Sequence, residues 1–417
     1  MSCAIWARDS PVLNSMLAFI NARVIDGTGN PPIESAAVIV NGARIEAVGT
    51  DLPIPEGVTV IDLVGRTLLP ALSDAHTHFG GADLLSRPGL GGRDITYDYA
   101  LNSDVNLQWG VTTIRSAGDF MPDIVSYRND VESNGLHAPR ILTAGRMFMA
   151  PGGHPLDTVF MHNEAIRDNA CILCHDDTDI DAEVKNLADA GIDWIKAFLS
   201  TMNKMNYPHP VPRLPHETLK KIVDAAHKYG KPAMLHVENP DDMMEAVELG
   251  VDSIEHTIGV GSRSFEMSND LLSKLRSSGT YVVPTLSAIK AHDGMPEGAE
   301  LVYPHLEIAV KRMADAGVCL GVGCDSGIPF LPYGECVHTE MELLVELGLP
   351  PLEVLCIATR DNAKLFRLDN TLGTIKAGKL ADLVVLDADP LSDIRNTRQI
   401  CLVIKEGRIA ADRMLSN

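Results

Sequence analysis

Short apolar runs alternate with stretches of helical periodicity along most of the chain. Such runs predict buried strands, whereas apolar residues spaced three or four apart predict amphipathic helices. The predicted strands are 68–74, 111–115, 140–144, 194–198, 232–237, 253–256, 281–286 and 319–323. The predicted helices are 180–190, 216–229, 241–249, 269–278, 303–316, 335–347 and 352–365. Alternation of strand and helix indicates a parallel sheet covered by helices, and eight units predict an α/β fold, the (β/α)8 TIM barrel.

The two ends of the chain show another pattern, in which short strands follow one another with tight turns such as Asn41-Gly42 between them. Neither end has enough strands to cover a sheet alone. We therefore predict a small discontinuous β-sandwich domain from residues 17–69 and 368–417, with the barrel at 70–367. Residues 1–16 are expected to be a disordered leader, and the sequence leaves open whether Met1 or Met16 is the natural start.

Five of the apolar runs carry metal-type ligands at their ends. His76 and His78 are two residues apart in a predicted strand, so their side chains point to the same face. Neutral imidazole nitrogens are common zinc ligands, although a single His-x-His pair occurs often by chance. The later runs add four further candidates, which are Lys196, His236, His256 and Asp325. Since chemistry in a (β/α)8 barrel takes place at the C-terminal strand ends, we predict a metal site there.

Composition narrows the possible partners. The chain has 417 residues, is 45% apolar and has a formal net charge of −21, which disfavours nucleic acid and anionic membranes. We find no convincing secretory signal and no apolar run of the ~18 residues that a membrane span needs. Eight cysteines suit free thiols in a reducing compartment. We expect a cytoplasmic homo-oligomer that acts on a small molecule, without nucleic acid or membrane as a partner.

One motif suggests a different chemistry. Cys171-Ile-Leu-Cys174-His175 matches the C-x-x-C-H pattern of haem attachment. A redox pair or an additional zinc ligand are further interpretations. Without an export signal, we prefer ordinary thiols in the loop between the third and fourth strands.

Several motifs together resemble the amidohydrolase superfamily of metal-dependent hydrolases. They are Asp74-Ala-His76-Thr-His78, Gly152-Gly-His154, Ile195-Lys196, Ile254-Glu-His256, Gly323-Cys-Asp325-Ser-Gly and the tail that begins at Gly373. Within that superfamily, the chain is most similar to the imidazolonepropionase-like and Xaa-Pro dipeptidase-like (prolidase-like) branch. The resemblance covers nearly the whole chain.

The resemblance implies a centre of two zinc ions per chain. One ion would be held by His76, His78, Lys196 and Asp325, and the other by Lys196, His236 and His256. Lys196 would be carboxylated on its amine, because an ammonium cannot ligate a cation whereas a carbamate offers two anionic oxygens.

The resemblance also implies a reaction. A metal-bridging hydroxide would attack a C–N bond, amide or peptide-like, in a small molecule such as a dipeptide or an N-acyl amino acid. Asp325 would take the proton as general base and return it to the leaving nitrogen. His154 and Glu238 are candidates for substrate contact or for support of the ligands, and Arg115 for substrate contact or a structural ion pair. Glu238 stands where carboxypeptidase-like relatives often have a tyrosine for the substrate carboxylate, which favours a neutral or cationic substrate.

Three alternatives stay open. A mononuclear deaminase of the same superfamily would use a glutamate after the strand-5 histidine, which Glu238 supports, but it would lack a lysine ligand, which Lys196 opposes. A carbamate- or urea-type hydrolase would use the same centre. A non-enzymatic relative that keeps only the fold would have lost ligands, and none of the expected ligands is missing here.

Overall fold

The computed structural model describes residues 16–81, 98–158, 160, 163–200, 210–257, 267–291, 303–328 and 331–414. The predicted leader therefore lies outside the described residues, except for Met16, which begins the first strand. Five strands open the chain: β1 (Met16–Val24), β2 (Ile33–Asn41), β3 (Arg44–Gly49), β4 (Thr59–Asp62) and β5 (Thr67–Pro70).

The middle of the chain contains nine short strands in two parallel sheets. They are β6 (Leu72–Thr77), β7 (Val111–Ser116), β8 (Arg140–Thr143), β9 (Met147–Met149), β10 (Cys171–Leu173), β11 (Ile195–Phe198), β12 (Ala233–His236), β13 (Ser253–Glu255) and β14 (Tyr281–Val283). One sheet has the order β6-β7-β8, and the other has the order β10-β9-β11-β12-β13-β14. Every neighbouring pair in them is parallel, as the alternating sequence pattern predicted.

Backbone hydrogen bonds connect these two sheets on both sides. The amide of Asp193, just before β11, donates to the Thr143 carbonyl of β8 over 2.8 Å. In the extended segment 319–325, the Cys319 carbonyl accepts from the Val282 amide of β14 over 2.8 Å. The Val322 carbonyl of the same segment accepts from the Ala75 amide of β6 over 2.9 Å. This segment was predicted as the eighth strand, but it makes only a single bridge to β14, at Leu320.

Twelve helices lie between the strands of the described residues or follow them. They are α1 (Tyr99–Gln108), α2 (Asp123–Asn134), α3 (Glu164–Ala170), α4 (Ile180–Asp189), α5 (His216–Lys228), α6 (Pro240–Glu248), α7 (Asn269–Ser278), α8 (Leu286–Ala291), α9 (Tyr303–Asp315), α10 (Glu335–Glu346), α11 (Pro351–Cys356) and α12 (Asn362–Leu365). An α/β fold is thus confirmed. None of these helices is both long and apolar enough to cross a bilayer.

The predicted helix 352–365 is interrupted by a wider π turn at Ile357–Asp361, which separates α11 from α12. The turn lies against β6, where Ser73 Oγ donates to the Ala358 carbonyl over 2.9 Å. The Asn362 side chain donates to the carbonyls of Ser73 and Val322, so it fixes α12 to the same strand ends. A π turn contains one residue more than a turn of α-helix. The helical pattern of apolar residues in the sequence does not reveal this extra residue, because it shifts the spacing by only one position.

The chain ends with β15 (Leu383–Leu386), a short 3-10 helix (Ile394–Arg398), β16 (Ile400–Lys405) and β17 (Arg408–Asp412). These strands join the N-terminal ones in a single sheet with the order β17-β16-β15-β5-β1-β2-β3, to which β4 is added through β1. The side chains of this sheet form a buried apolar cluster that combines residues from both ends of the chain, including Phe19, Leu68, Leu383 and Ile404. The two ends of the chain are therefore joined as predicted, whereas the domain limits and the sandwich architecture stay predictions.

Candidate metal centre

Ligand candidates of both predicted ions come together at the C-terminal ends of the parallel strands, since His256 was assigned to the second ion and the others named here to the first. Ligand atoms of His76, His256 and Asp325 all lie within 4.8 Å of one another. The Nε2 atoms of His76 and His78 are each 3.3 Å from Oδ1 of Asp325. The side chain of His76, on β6, is fully buried, and that of Asp325 is 8% exposed. These side chains therefore lie close together, and their roles as metal ligands stay predictions.

The backbone around this group has a rare conformation. His256 and Asp325 have φ angles of 65° and 61°, and Thr285 has 49°, in the left-handed region that non-glycine residues avoid. Such a residue costs about 1–3 kcal/mol, and neighbouring contacts must hold it in place. Here the His256 amide donates to the Val283 carbonyl and the Asp325 amide to the His76 carbonyl. The left-handed conformation bends the chain at His256 and at Asp325, the residues whose side chains are the candidate ligands.

Hydrogen bonds on Nδ1 set the histidine tautomers. His78 Nδ1 donates to the Gly118 carbonyl over 3.0 Å, and His76 Nδ1 donates to Glu255 Oε2 over 2.5 Å. A carbonyl or carboxylate accepts only, so each Nδ1 carries a proton, and in the neutral form of both rings Nε2 keeps its lone pair. His256 Nδ1 is hydrogen-bonded with Thr285 Oγ1 at 2.7 Å. Both Nε2 lone pairs of the His-x-His pair are therefore available on the side of Asp325.

Two buried polar atoms at this place fit a cation. His76 Nε2 and Asp325 Oδ1 have no hydrogen-bond partner among the residues that the structure describes. A buried polar atom without a partner costs about 1–3 kcal/mol. Burial alone would raise the pKa of Asp325, but His76, His78 and His256 hold it well below its usual value. Nitrogen ligands with an ionised carboxylate are a donor set that suits zinc.

A second group of ligand-type residues lies beside the first. His154, His236 and Glu238 have ligand atoms within 4.8 Å of one another, and Glu238 Oε1 is 3.3 Å from His236 Nε2. The His236 ring centre is 4.4 Å from that of His256 and 4.7 Å from that of His154. Since His256 belongs to the first group, the two groups are adjacent.

Lys196 is buried on β11, with 1% of its surface exposed. Its Nζ lies 5.0 Å from the centre of the Phe198 ring, which is in turn 5.0 Å from the His236 ring. Burial lowers the pKa of Lys196 to about 8, although the charges of Glu255 and Asp325 act in the opposite direction. A lysine with this pKa is neutral in a sizeable fraction near pH 8, unlike an exposed lysine.

Arg115, on β7, is completely buried. Its Nη2 is 2.7 Å from Glu255 Oε1, its Nε donates to the Ala75 carbonyl, and its guanidinium stacks 4.5 Å from the Trp194 ring centre. Of the two roles considered for Arg115, this position favours the structural ion pair over substrate contact.

Glu255 is a site residue that the sequence interpretation missed. It is fully buried between Arg115 and His76. Burial alone would raise the pKa of Glu255, but the charge of Arg115 and the bond from His76 hold it well below its usual value. An acidic residue inside a buried apolar strand needs a partner, and that signal was present in Ile254-Glu-His256.

The C-x-x-C-H motif begins on β10, where Cys171 pairs with Met147 of β9, and Met147 pairs in turn with Lys196 of β11, so one strand separates the motif from Lys196. The loop expected there is thus a short strand. Cys171 and Cys174 are buried, whereas His175 is exposed. Burial raises the pKa of both thiols to about 12, which makes them poor nucleophiles. These features fit ordinary buried thiols.

Comparison with known proteins identifies the family of the chain. The model of the amidohydrolase family matches residues 67–410, which is most of the chain. The chain therefore belongs to the amidohydrolase family, a family of hydrolases.

Several relatives can be named within this family. The chain is 26% identical to ochratoxinase from Aspergillus niger over 408 residues, which cover 89% of this chain and 81% of that protein. It is 25% identical to imidazolonepropionase from Symbiobacterium thermophilum over 207 residues, or 46% of this chain and 43% of that protein. A Xaa-Pro dipeptidase crystal structure with bound methionine in the active site has a TM-score of 0.80 and 26% identity, covering 95% of this chain and 99% of that one. The similarity to the imidazolonepropionase-like and prolidase-like branch is thus confirmed.

Proposed function

We propose that this chain is a zinc-dependent amidohydrolase that cleaves a C–N bond, amide or peptide-like, in a small molecule. The observation that carries the proposal is the convergence of His76, His78, His256 and Asp325, with His76 Nε2 and Asp325 Oδ1 buried and without a partner among the described residues. Two ions per chain are proposed, because His236 and its neighbours form a second adjacent group.

The proposal includes the architecture around the site. We infer that the parallel segments form a closed (β/α)8 barrel at residues 70–367, with the β-sandwich domain at 17–69 and 368–417. The hydrogen bonds from Asp193 to Thr143 and from Ala75 to Val322 support closure, since they connect the edges of the two parallel sheets. In such a barrel the C-terminal strand ends form the active site.

We propose that Lys196, as a carbamate, would help to hold both ions. The neutral amine adds to the carbon of CO2, a C=O electron pair moves onto oxygen, and the nitrogen releases one proton to water, which leaves an anionic carbamate with two oxygens. The lowered pKa of Lys196, about 8, supports this step, because only the unprotonated amine can form the C–N bond.

When bound, two zinc ions would lower the pKa of a shared water towards about 7 and polarise the scissile carbonyl. Asp325 accepts the proton of that water through a carboxylate oxygen and returns it to the leaving nitrogen. Its low pKa keeps it ionised before the reaction, and its left-handed backbone keeps the oxygen beside His76 and His78. His154 lies beside His236 and Phe198, which supports the proposal that it would contact the substrate carbonyl or its oxyanion.

Glu238 restricts the substrate. It is 6% exposed beside His236, and its charge contributes to raising the pKa of Asp242 to about 6, for which burial is the largest cause. Arg213 compensates Asp242 and Glu245 by ion pairs. A free substrate carboxylate next to Glu238 would be repelled. We therefore propose a neutral or cationic substrate, such as an amide of an amino acid, an N-acyl compound, a dipeptide bound with its amino end here, or a carbamate- or urea-type compound.

A mononuclear deaminase is the second candidate. The observation that favours it is the 3.3 Å distance between Glu238 Oε1 and His236 Nε2, which places a carboxylate directly beside a ligand candidate. In that mechanism Lys196 would hold no metal.

Metal content separates these candidates. Protein purified without chelator should contain two zinc ions per chain by mass spectrometry, and 13C-labelled CO2 should give a carbamate signal in NMR. Lys196→Ala should lose metal and the signal and regain metal with short carboxylic acids, whereas Lys185→Ala, at an exposed surface lysine, should change neither. One ion that survives Lys196→Ala would support the deaminase, and a protein without bound zinc would overturn the proposal. Hydrolysis of dipeptides, N-acyl amino acids and cyclic amides should then identify the substrate.

A further inference from the structure

Glu340, on helix α10, is completely buried although it is not among the candidate ligands. Its Oε1 accepts a hydrogen bond from the Leu286 amide over 2.9 Å, and its Oε2 accepts one from the Ser287 amide over 2.7 Å. These amides belong to the first turn of α8, where backbone N–H groups have no partner inside the helix. A single carboxylate therefore holds two consecutive peptide units just after β14.

The residue before these two amides contacts a candidate ligand. Thr285 is completely buried, has a φ of 49° and lies between β14 and α8. Its Oγ1 is hydrogen-bonded with Nδ1 of His256 at 2.7 Å. A β-branched residue rarely adopts this left-handed conformation, so contacts of its neighbours must hold it in place. The bonds from Leu286 and Ser287 to Glu340 are such contacts, and they keep the hydroxyl against the His256 ring.

The same turn also supports the segment that carries Asp325. Ser287 Oγ donates to the Cys324 carbonyl over 3.2 Å. Cys324 directly precedes Asp325, whose φ of 61° also lies in the left-handed region. Ligand atoms of His256 and Asp325 lie within 4.8 Å of each other. The contacts of Glu340 therefore lead to two neighbouring candidate ligands, one on each side of the turn.

We propose that Glu340 is a positioning residue of the metal centre, which fixes His256 and Asp325 in their ligating geometry through the turn at residues 285–287. The inference rests on the proposed function and adds a residue that contributes no ligand atom to the metal. A carboxylate suits this role because it only accepts hydrogen bonds, so both of its oxygens can face backbone amides. A glutamine would direct its NH2 group at one of the two amides, donor against donor, and the turn would have to move.

Cobalt is the probe for this role, because the visible absorption of a bound Co2+ ion changes with the number and geometry of its ligands. The cobalt-loaded proteins would be compared at pH 8, above the pKa of about 7 to which burial raises Glu340. Glu340→Gln should change the cobalt spectrum and weaken cobalt binding about tenfold, the lower end of the effect of losing a residue that supports a metal ligand. Glu342→Gln is the control on the same helix, because it removes an ion pair with Arg398 instead. It should leave both the spectrum and the affinity unchanged.

A double variant tests the path through Thr285. Thr285→Val keeps the shape of the side chain but removes the hydroxyl that contacts His256. Because Glu340 is proposed to act through this hydroxyl, Glu340→Gln should weaken cobalt binding less in the Thr285→Val protein than in the wild type. An equal loss of affinity in both proteins would overturn this path.

Ser287→Ala is a smaller change, which keeps the proposal testable where Glu340→Gln does not fold. It removes the contact with the Cys324 carbonyl and should also change the cobalt spectrum. A wild-type spectrum in folded Glu340→Gln, or in Ser287→Ala where Glu340→Gln does not fold, would overturn the positioning role and leave the proposed hydrolase intact. Wild-type protein that binds no cobalt would contradict the proposed function and this inference with it.

Discussion

The bond between Glu255 and His76 should decide how tightly the first ion is held. Glu255 Oε2 accepts from His76 Nδ1 over 2.5 Å, and both side chains are completely buried. This bond keeps the Nε2 lone pair towards Asp325 and increases its basicity. Glu255→Gln should weaken zinc binding 10–100-fold, the usual effect of losing such a partner of a metal-bound histidine, which is about 1.4–2.8 kcal/mol.

The same change has a second effect on stability. Arg115 would lose its ionised partner at 2.7 Å in a fully buried place. Breaking a buried ion pair from one side costs about 3–5 kcal/mol, because the remaining charge stays buried. Glu255→Gln combined with Arg115→Met should recover much of that stability but not the zinc affinity, since only the carboxylate contacts His76.

Zinc affinity would be measured by competition with a chromophoric chelator, and stability of the metal-free protein by urea unfolding. Asp382→Asn is the matched control, because it breaks the 3.0 Å pair between the buried Asp382 and the partly buried Arg140 without touching a candidate ligand. It should lower stability and leave zinc affinity unchanged. Wild-type zinc affinity in Glu255→Gln would refute the idea that this carboxylate orients the His76 ring.

Three further changes test other parts of the account. Asp325→Asn should keep most of the zinc but lower kcat at least about 100-fold, as expected for a lost general base, and an active variant would exclude this role. Glu238→Gln should raise kcat/KM for substrates with a free carboxylate relative to cationic ones, and an unchanged ratio would remove its role in charge selection. Burial lowers the pKa of His338 to about 4. As the pH falls below 6.5, the unfolded chain therefore binds a proton at this histidine, whereas the folded chain binds it only near pH 4. The free energy of unfolding should therefore decrease as the pH falls through that window. Between pH 7 and pH 5, urea unfolding should show that the wild type loses about 2 kcal/mol more than His338→Gln, and equal losses would contradict this.

Elements with a clear pattern and good end signals were predicted closely from the sequence. The helix predicted at 269–278 is observed as Asn269–Ser278, where Ser268 accepts from the Leu271 amide and Gly279 ends the helix at a φ of 72°. Helix α1 was not predicted, because its buried face contains the polar residues Ser103 and Asn106, which obscure the apolar spacing.

The site shows the same division. The convergence of the strand-end ligands follows from strand alternation and from the common orientation of parallel strands, so His76, His78 and Asp325 could be predicted as neighbours. The partners of those ligands could not. The contact from His76 to Glu255 and the one from His256 to Thr285 connect neighbouring segments and depend on their exact register. The left-handed backbone at His256 and Asp325 likewise arises from contacts with neighbouring segments.

The most direct measurement of the central claim is a crystal structure of the zinc-loaded protein with anomalous data at the zinc edge. Two peaks should appear, one among the side chains of His76, His78 and Asp325 and one beside His236 and His256. Additional density on the Lys196 amine should connect them. Data without a zinc peak at these side chains, or with peaks only elsewhere in the molecule, would contradict the account.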